Sequence, residues 1–467
     1  MLPGVPANAG FYPVAFVGSV FLTLFVTFFA RESGEAKAQT SSAFRSFQST
    51  YLHVFWLMMA GDWLQGPYVY ALYKSYGYEQ ADIAVLFVAG FGSSMVFGTF
   101  IGSMADRFGR KKFALLYVVT YVASCLTKHY STFYVLMVGR VLGGISTSLL
   151  FSVFEAWLVS EHNSRGYSGA WLGGTFSSGQ FGNSLVAIIA GLVAQPLADM
   201  SKLTPVSPGS ALHFGGYTAP FDLSIGVLTV GGLLIMCSWS ENSTGNAGEP
   251  PCSVTSLRAA LQLILSNRAV LYAGAMQSLF EGSMYTFVFM WTPVLTEPAP
   301  APPPPFGLIF ATFMVMSMCG SSAFTILSKA NAPASFMPMV FFAAAGGLAM
   351  PVFFESSKRA CLAGMLVMEF CCGMYFPAMY TIKSKVVPEE SRAAIYNLFR
   401  VPLNIIVLVV LLTDMPRSVT FSCCVVMLTL AALVAKALQR VTRTTAVQYE
   451  LGNLLGAGQE QAAVEQP

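Results

Sequence analysis

The sequence predicts an all-α membrane protein, and three observations support this fold class. Hydrophobic residues make up 55% of the 467 residues and charged residues only 10%, against about 25% charged residues in a typical soluble domain. The mean hydropathy is +0.62, and the apolar residues form a series of long runs. With so few charges the chain cannot cover a globule of this size with a hydrated surface, so its surroundings must be largely lipid.

Each predicted span is a run of about 20 mostly apolar residues, the length of helix that crosses the hydrocarbon core of a bilayer. The connections are short, except at 31–49, 196–215, 239–267 and the proline-rich stretch 297–305. Proline lacks the amide donor that a helix needs, so this last stretch is expected to be extended. The predicted spans are 9–30, 50–73, 82–104, 113–128, 132–159, 170–195, 216–238, 268–295, 306–328, 335–354, 359–382, 393–413 and 418–439.

The first span and the tail differ from the rest of the chain. Residues 1–30 contain no Lys or Arg, so the basic region that begins a signal peptide is missing. A retained helix is therefore favoured over a cleaved signal peptide. After Arg443 the residues are small and polar, which predicts a disordered tail.

Lys and Arg are distributed unequally between the two sides of the predicted membrane. If the connection after the first span is cytoplasmic, that side holds 17 of the 25 Lys and Arg, and the opposite side holds 6. Positive residues favour the cytoplasmic side, which predicts an outside N-terminus and a cytoplasmic C-terminus. The net charge of +3 is too small to indicate a nucleic-acid partner, and the four scattered His predict no metal site.

The stretch GSMADRFGRKK joins two spans and resembles the signature loop of the major facilitator superfamily, G-x-x-x-D-R-x-G-R-K. Gly102 would let two helices approach closely, and Asp106 would lie at the N-terminus of a neighbouring helix, where the dipole favours an anion. The basic residues would stay in the cytosol. An ordinary basic loop is the alternative, which the full spacing disfavours. The matching residues are Gly102, Asp106, Arg107, Gly109, Arg110 and Lys111.

This resemblance sets the register of the helices. In the superfamily the signature loop joins core helices 2 and 3, so 50–73 is core helix 1 and 9–30 is an extra helix. VGRVLGGIS, which contains Arg140, resembles a second family motif in core helix 4. The stretch SEHNSRG follows core helix 4, and PEESRA follows core helix 10. Both contain an acid followed by Arg, which is expected if the two six-helix halves are parallel repeats. The repeat of the signature loop, CGSSAFTILSK, lacks the Asp and is degenerate.

Four acidic residues lie inside predicted spans, where an ionised side chain costs roughly 2.5–3.5 kcal/mol. They are Asp62, Glu155, Glu281 and Glu369, one in each of core helices 1, 4, 7 and 10. In the superfamily these four helices line the central substrate cavity, so the resemblance implies carboxyl groups that face one cavity. The alternative is a structural partner for an Arg or a backbone group, which we expect for two of the four.

Two Arg residues lie in the same spans. Arg140 precedes Glu155 by fifteen residues, about 22 Å along a helix, so Arg140 is expected near the outer end or beside another partner. Arg400 lies in core helix 11, where a planar guanidinium can hold an oxyanion. Four charged acids would repel an anion, so some are expected to be protonated or paired, which suggests proton coupling. Neutral groups expected in the cavity are Gln65, Gln277 and Asn404.

Two prolines indicate sites where a span is expected to break. They lie in Gly66-Pro67 and in Val401-Pro402. A broken helix would present free amide groups to an anion inside the membrane.

Four stretches together resemble the molybdate-anion transporters of the major facilitator superfamily, over a region from about Tyr51 to Arg440. The resemblance implies a twelve-helix carrier preceded by one N-terminal helix, in the plasma membrane, that moves molybdate by alternating access. The residues themselves do not separate molybdate from sulfate. The stretches are DWLQGPYVYALYKSYGY, LLFSVFEAWLVSEH, FVFMWTPVL and NLFRVPL.

The predicted spans and the family resemblance divide the chain into five parts, which are given at the end of this paragraph. Two alternatives to a molybdate carrier stay open, namely a carrier of another solute (sulfate, a sugar or an organic cation) and a membrane sensor or scaffold that does not transport. No enzyme and no cofactor are predicted, because no nucleophile–base pair, P-loop or metal-ligand spacing occurs. The parts are the extra helix with a cytoplasmic linker (1–49), the N-terminal six-helix bundle (50–238), the cytoplasmic inter-bundle loop (239–267), the C-terminal six-helix bundle (268–440) and a disordered cytoplasmic tail (441–467).

Overall fold

The computed structural model describes residues 10–31, 40–98, 100–243, 254–296, 303–388, 392–413 and 415–464. The predicted all-α class is confirmed, and every predicted span coincides with one helix or with two consecutive helices. The first ten helices are α1 (Phe11–Arg31), α2 (Ser42–Trp63), α3 (Val69–Ser75), α4 (Gln80–Gly98), α5 (Ile101–Phe108), α6 (Arg110–Thr127), α7 (Phe133–Leu150), α8 (Val153–Ser164), α9 (Gly169–Asp199) and α10 (Ala219–Ser238). The others are α11 (Val254–Ser266), α12 (Arg268–Thr296), α13 (Phe306–Ala330), α14 (Pro333–Phe353), α15 (Lys358–Val386), α16 (Arg392–Leu412) and α17 (Arg417–Val464).

The apolar surface of the molecule fits a membrane environment. Within the described ranges, nine helices are long and apolar enough to cross a membrane, judged by length and composition. Large apolar side chains cover the outer faces of these and other helices, with Phe21 of α1 69% exposed and Val119 of α6 66% exposed. Contiguous exposed apolar surface of this extent is rare on soluble monomers. The chain is therefore a multi-pass membrane protein.

The span that carries Asp62 breaks at one of the two expected prolines. A short 3-10 turn, Gly66–Tyr68, separates α2 from α3, because Pro67 has no amide hydrogen for a helical bond. The expected break at Pro402 does not occur, since α16 continues through this residue. Proline is tolerated inside membrane helices where neighbouring groups satisfy the freed carbonyl.

Two connections contain more structure than the sequence predicts. The inter-bundle loop includes α11, which packs Ala260 and Ile264 against the start of α12. The connection between α9 and α10 forms an antiparallel pair of short strands, β1 (Thr204–Pro205) and β2 (His213–Phe214).

The tail also differs from its prediction. Helix α17 extends to Val464, where disorder was predicted from residue 441, and the Ala, Gln, Glu and Leu of this stretch are good helix formers. Several predicted features fall on residues outside the described ranges, namely 1–9, 32–39, 244–253, most of the proline-rich stretch and the last three residues.

Helix α1 packs against α13, and therefore against the C-terminal bundle. The Thr23 hydroxyl donates a hydrogen bond to the carbonyl oxygen of Val315 at 3.1 Å. Thr27 and Ser322 share a hydrogen bond between their hydroxyls at 2.9 Å. Hydroxyl contacts of this kind hold helices together inside a bilayer, where apolar burial gives no driving force. The extra helix is thus an integral part of the packed structure.

The two ends of the molecule are distinguished by their contacts. We call the end that carries Gly109, between α5 and α6, the motif end, and the end that carries β1 and β2 the far end. At the far end the bundles touch directly: a Cβ on Gly191 of α9 would lie 2.7 Å from the carbonyl oxygen of Gly307. The Gln195 side-chain oxygen accepts the Gly307 amide hydrogen at an N–O distance of 2.8 Å. The far end is therefore closed by helix contact.

Candidate functional site

A cavity of about 380 Å³ lies between the two bundles. Helices α2, α3, α4, α6 and α7 form one wall, and α12 and α16 form the other. Phe151, at the motif-end side of the cavity, is 58% exposed, so the cavity opens toward the motif end. Its polar lining includes Asp62, Gln65, Tyr70, Ser94, Tyr121, Ser124, Lys128, Arg140, Thr147, Ser148, Glu281, Tyr285, Thr292, Arg400 and Asn404.

Asp62 lies in the last turn of α2, just before the 3-10 turn that contains Pro67, and lines the cavity. Its carboxylate accepts a hydrogen bond from the Tyr121 hydroxyl of α6. Gln65 also lines the cavity, but its amide donates to the Gly61 carbonyl at 2.9 Å and to the Ser224 hydroxyl at 3.2 Å. Both contacts lie within the N-terminal bundle. Gln65 therefore braces the end of α2, while Asp62 presents an acid to the cavity.

Glu281 is the acid on the opposite wall, and it belongs to a network within the C-terminal bundle. Tyr375 donates its hydroxyl hydrogen to the Glu281 carboxylate at 3.0 Å, and the Gln277 amide donates at 3.4 Å. The Gln277 oxygen in turn accepts from the Lys383 ammonium at 3.0 Å. Gln277 thus connects a buried cation to the cavity acid and does not itself line the cavity.

Arg400 and Asn404 both line the cavity from α16. Arg400 is exposed, so its guanidinium is accessible from the cavity. The Asn404 amide donates to the carbonyl oxygen of Arg400 at 2.8 Å, one turn earlier in the helix. Arg400 is therefore the cation that a solute entering from the motif end meets on this wall.

Two of the four predicted cavity acids, Glu155 and Glu369, are not among the residues that line this cavity. Glu155 follows a break between α7 and α8, in the first turn of α8, and is exposed outside the cavity lining. Glu369 is 8% exposed within α15, which packs against both α13 and α14. Among the described residues, the acids that line the cavity are Asp62 and Glu281.

Lys128, the last residue of the predicted span 113–128, is a cavity residue that was not among the predicted site residues. It ends α6 at the far end, but its side chain is only 2% exposed. In the described part of the chain, its ammonium nitrogen has no hydrogen-bond partner. Tyr121, Ser124 and Lys128 all line the cavity, and their spacing of three and four residues places them on one helix face. That spacing is the sequence signal that could have identified Lys128.

Arg140 lies beside Lys128 at the far end of the cavity. The Arg140 guanidinium donates to the Leu86 carbonyl at 3.1 Å and stacks over the Phe87 ring, 4.6 Å from its centroid. A Cβ on Gly90 would lie 2.9 Å from the central carbon of this guanidinium. Glycine at that position therefore makes room for the Arg140 side chain between α4 and α7.

The signature loop is folded differently from its prediction in two respects. Gly102 does not mediate a close approach, because a Cβ there would meet no atom within 4 Å. Arg110 is not in the solvent: it is 6% exposed, and its guanidinium pairs with Asp106 at 2.7 Å. Arg107 is exposed as expected, with its guanidinium 5.3 Å from the centroid of the Phe108 ring.

The start of α6 is capped by a residue that the sequence analysis missed. The Glu241 carboxylate accepts the amide hydrogens of Lys111 and Lys112 at 3.0 and 3.2 Å. Gly109 has φ +115°, and a Cβ there would lie 2.6 Å from the Glu241 carboxyl carbon. Glycine is therefore required at position 109 for two reasons: the backbone has a positive φ, and a side chain there would displace the Glu241 carboxylate. Asp106 contacts the first residue of α6 through its ion pair with the Arg110 side chain.

Comparison with known proteins agrees with this architecture. A family model described as sugar transporters with 12 TM matches residues 11–376. The molybdate-anion transporter of Xenopus laevis is 34% identical over 432 residues, which cover 89% of this chain and 90% of that protein. The molybdate-anion transporter of Takifugu rubripes is 32% identical over 400 residues, which cover 80% of each. A crystal structure of a D-xylose–proton symporter superimposes with a TM-score of 0.65 at 15% identity, covering 83% of this chain and 97% of that one.

The class of protein follows from the fold and the cavity together. Two bundles that enclose a central cavity, closed at one end and open at the other, define a transporter of the major facilitator fold. The solved structure shows this fold alone, because its sequence identity is low. At the identities and coverage of the curated relatives, the chain belongs to the molybdate-anion transporter family of the major facilitator superfamily.

Proposed function

We propose that the protein transports molybdate across a membrane by alternating access. The observation that carries the proposal is the charge of the central cavity. Three cations, Lys128, Arg140 and Arg400, line it, together with two acids, Asp62 and Glu281. An anion that enters this cavity gains more attraction than repulsion, and the relatives named above are molybdate-anion transporters.

The two cavity acids support proton coupling in the same carrier. Each has a tyrosine hydroxyl as a hydrogen-bond donor, Tyr121 for Asp62 and Tyr375 for Glu281. The hydroxyl donor favours the ionised carboxylate, whereas an anion that approaches through the cavity favours the protonated acid, so such an acid can take up a proton as the anion arrives and release it as the anion leaves. Entry of a dianion beside such an acid favours its protonated form. We therefore propose that a proton accompanies the anion through Asp62 or Glu281.

The membrane arrangement is proposed from the Lys and Arg distribution. The motif end is cytoplasmic, with the N-terminus outside and the C-terminus inside, and the membrane is the plasma membrane. In this orientation the structure has its cavity open to the cytoplasm. The two six-helix bundles are 50–238 and 268–440, joined by the loop 239–267. The partners are the anion and the lipid bilayer; no enzymatic reaction and no nucleic-acid partner are proposed.

Uptake of radiolabelled molybdate into proteoliposomes tests this function. We expect uptake to rise when a pH gradient is imposed, sulfate to compete, and xylose or an amine not to compete. Arg400→Met should reduce uptake, because it removes a cation from the open side of the cavity. Arg258→Met, which removes an exposed cation from α11, is the matched control. Uptake of the sugar or the amine without uptake of molybdate would overturn the proposal.

A further inference from the structure

We infer that Lys128, Arg140 and Tyr70 form a binding site for a tetrahedral oxyanion at the far end of the cavity. This inference rests on the proposed function and adds to it the place at which the substrate is held. The three residues come from three different helices, α6, α7 and α3. All three line the same cavity.

Lys128 provides the strongest sign of a missing ligand. Its ammonium group is buried, and no acceptor in the described ranges takes its hydrogens. A buried, unpaired charge is strongly unfavourable. Arg140 is a second positive charge beside it, which adds repulsion. An anion between the two groups would remove both penalties, because it supplies the acceptors and the counter-charge.

In the part of the chain that the structure describes, neither of two nearby carboxylates accepts a hydrogen bond from Lys128. Asp222, on the helix that packs against α6, accepts a hydrogen bond from the His129 ring at 2.9 Å. Asp62, further along the cavity, accepts from Tyr121. Both acids are therefore engaged with other donors.

Tyr70 completes the donor set. The Tyr70 hydroxyl is buried, lines the cavity and has no hydrogen-bond partner in the part of the chain that the structure describes. The Tyr73 ring lies 5.6 Å from the Lys128 ammonium nitrogen. A tetrahedral dianion has four oxygens that accept hydrogen bonds in different directions. An ammonium, a guanidinium and a phenol that line one cavity supply hydrogen-bond donors from three different helices, which fits this requirement.

Glycines make room for the two cations. A Cβ on Gly139 would lie 3.0 Å from the Lys128 nitrogen, and a Cβ on Gly90 would lie 2.9 Å from the Arg140 guanidinium carbon. Close packing of α4, α6 and α7 at these glycines holds both groups in place without side-chain obstruction. The site is therefore built into the helix packing of the N-terminal bundle and does not depend on a loop.

Molybdate-dependent thermal stabilisation of the full chain in detergent tests the site. Lys128→Met keeps the length of the side chain and removes the charge. A hydrogen bond to a charged group contributes about 1.5–3 kcal/mol, so the Kd for molybdate should rise about tenfold to hundredfold. Tyr70→Phe should raise the Kd by about tenfold. Lys202→Met and Tyr134→Phe, which alter exposed residues at the same end, are the matched controls and should leave it unchanged.

The ligand-free melting temperature separates a binding role from a structural one. Because Lys128→Met removes an unpaired buried charge, it should leave the ligand-free melting temperature unchanged or raise it. An unchanged Kd in both Lys128→Met and Tyr70→Phe overturns the site. If Lys128→Met fails to fold, a normal Kd in Tyr70→Phe overturns it.

The anions themselves distinguish failure of the site from failure of the proposed function. If wild-type protein takes up molybdate while the two variants bind it normally, the function stands and the site is wrong. If sulfate stabilises the wild type through Lys128 and molybdate does not, the oxyanion site stands and molybdate transport is wrong. If neither anion stabilises the wild type, both proposals are overturned.

Discussion

Replacement of Gly191 by alanine tests whether the far end closes by direct contact of α9 with α13. The added Cβ would lie 2.7 Å from the Gly307 carbonyl oxygen and 3.0 Å from the Ala311 amide nitrogen, whereas ordinary contact begins at about 3.4 Å. Both obstructing atoms belong to the backbone, so no side-chain rotation relieves the clash. The two helices must separate by several tenths of an ångström.

The size of the effect follows from the cost of overpacking, which is about 1–3 kcal/mol. In alternating access, α9 and α13 come apart when the far end opens, so the cost falls on the closed state alone. The equilibrium between the two states should then shift toward the open far end by about 5-fold to 150-fold. Transport should slow, because the carrier no longer returns readily to the state that opens at the motif end.

A cysteine at Thr292 reports the opening of the far end. Thr292 lines the cavity and is 2% exposed, so a membrane-impermeant thiol reagent added outside intact cells reaches it only when the far end opens. The exposed Cys237 is first replaced by serine. We expect Gly191→Ala to increase the labelling rate of Thr292→Cys and to reduce uptake of molybdate.

Gly173→Ala is the matched control, because it lies in the same helix and its Cβ would meet no atom within 4 Å. It should change neither labelling nor uptake. The reasoning is refuted if Gly191→Ala reaches the cell surface normally and labels Thr292→Cys at the unaltered rate.

Three further predictions concern other parts of the molecule. Glu281→Gln should reduce uptake of molybdate by about tenfold, because it removes a charge-assisted hydrogen bond. Glu369→Gln, which alters an acid outside the cavity lining, is the control and should leave uptake unchanged. Equal losses in the two variants would contradict the assignment of Glu281 to the cavity. Thr23→Val should weaken the attachment of α1 by about 0.6 kcal/mol, measured as a lower melting temperature in detergent. Thr229→Val, whose hydroxyl bonds within its own helix, is its control, and an equal drop would refute the prediction. Glu241→Ala should cost about 0.5–2 kcal/mol by uncapping α6, measured by thermal unfolding, and no loss would refute the cap.

Much of the fold could be predicted from local patterns. An apolar run of spanning length identifies a membrane helix without reference to its neighbours, and the break at Pro67 follows from a missing amide hydrogen. The signature loop and the four family-like stretches set the register of the two halves. The short strands between α9 and α10, helix α11 and the helical tail were not predicted.

The site was predicted less completely, for a reason specific to membrane helices. A membrane helix that packs on other helices has one face toward lipid and one face toward its neighbours, and both faces are apolar. Hydrophobic periodicity therefore gives little information about which face points toward the protein interior. Asp62 and Glu281 were therefore indistinguishable in sequence from Glu155 and Glu369. Lys128 was missed because a lysine at the edge of a span ordinarily lies in the aqueous phase.

The amino-acid sequence alone is enough to show that this chain is an α-helical membrane protein, where its membrane spans lie, and that it resembles one family of carriers. These properties depend on composition, span length and local motifs. Four other features became visible in the packed helices: two of the four acids line the cavity, Lys128 is buried beside Arg140, α1 packs on α13, and Glu241 caps α6. Each of these depends on how helices rotate and cross when they pack, and side chains far apart in the chain set that rotation together.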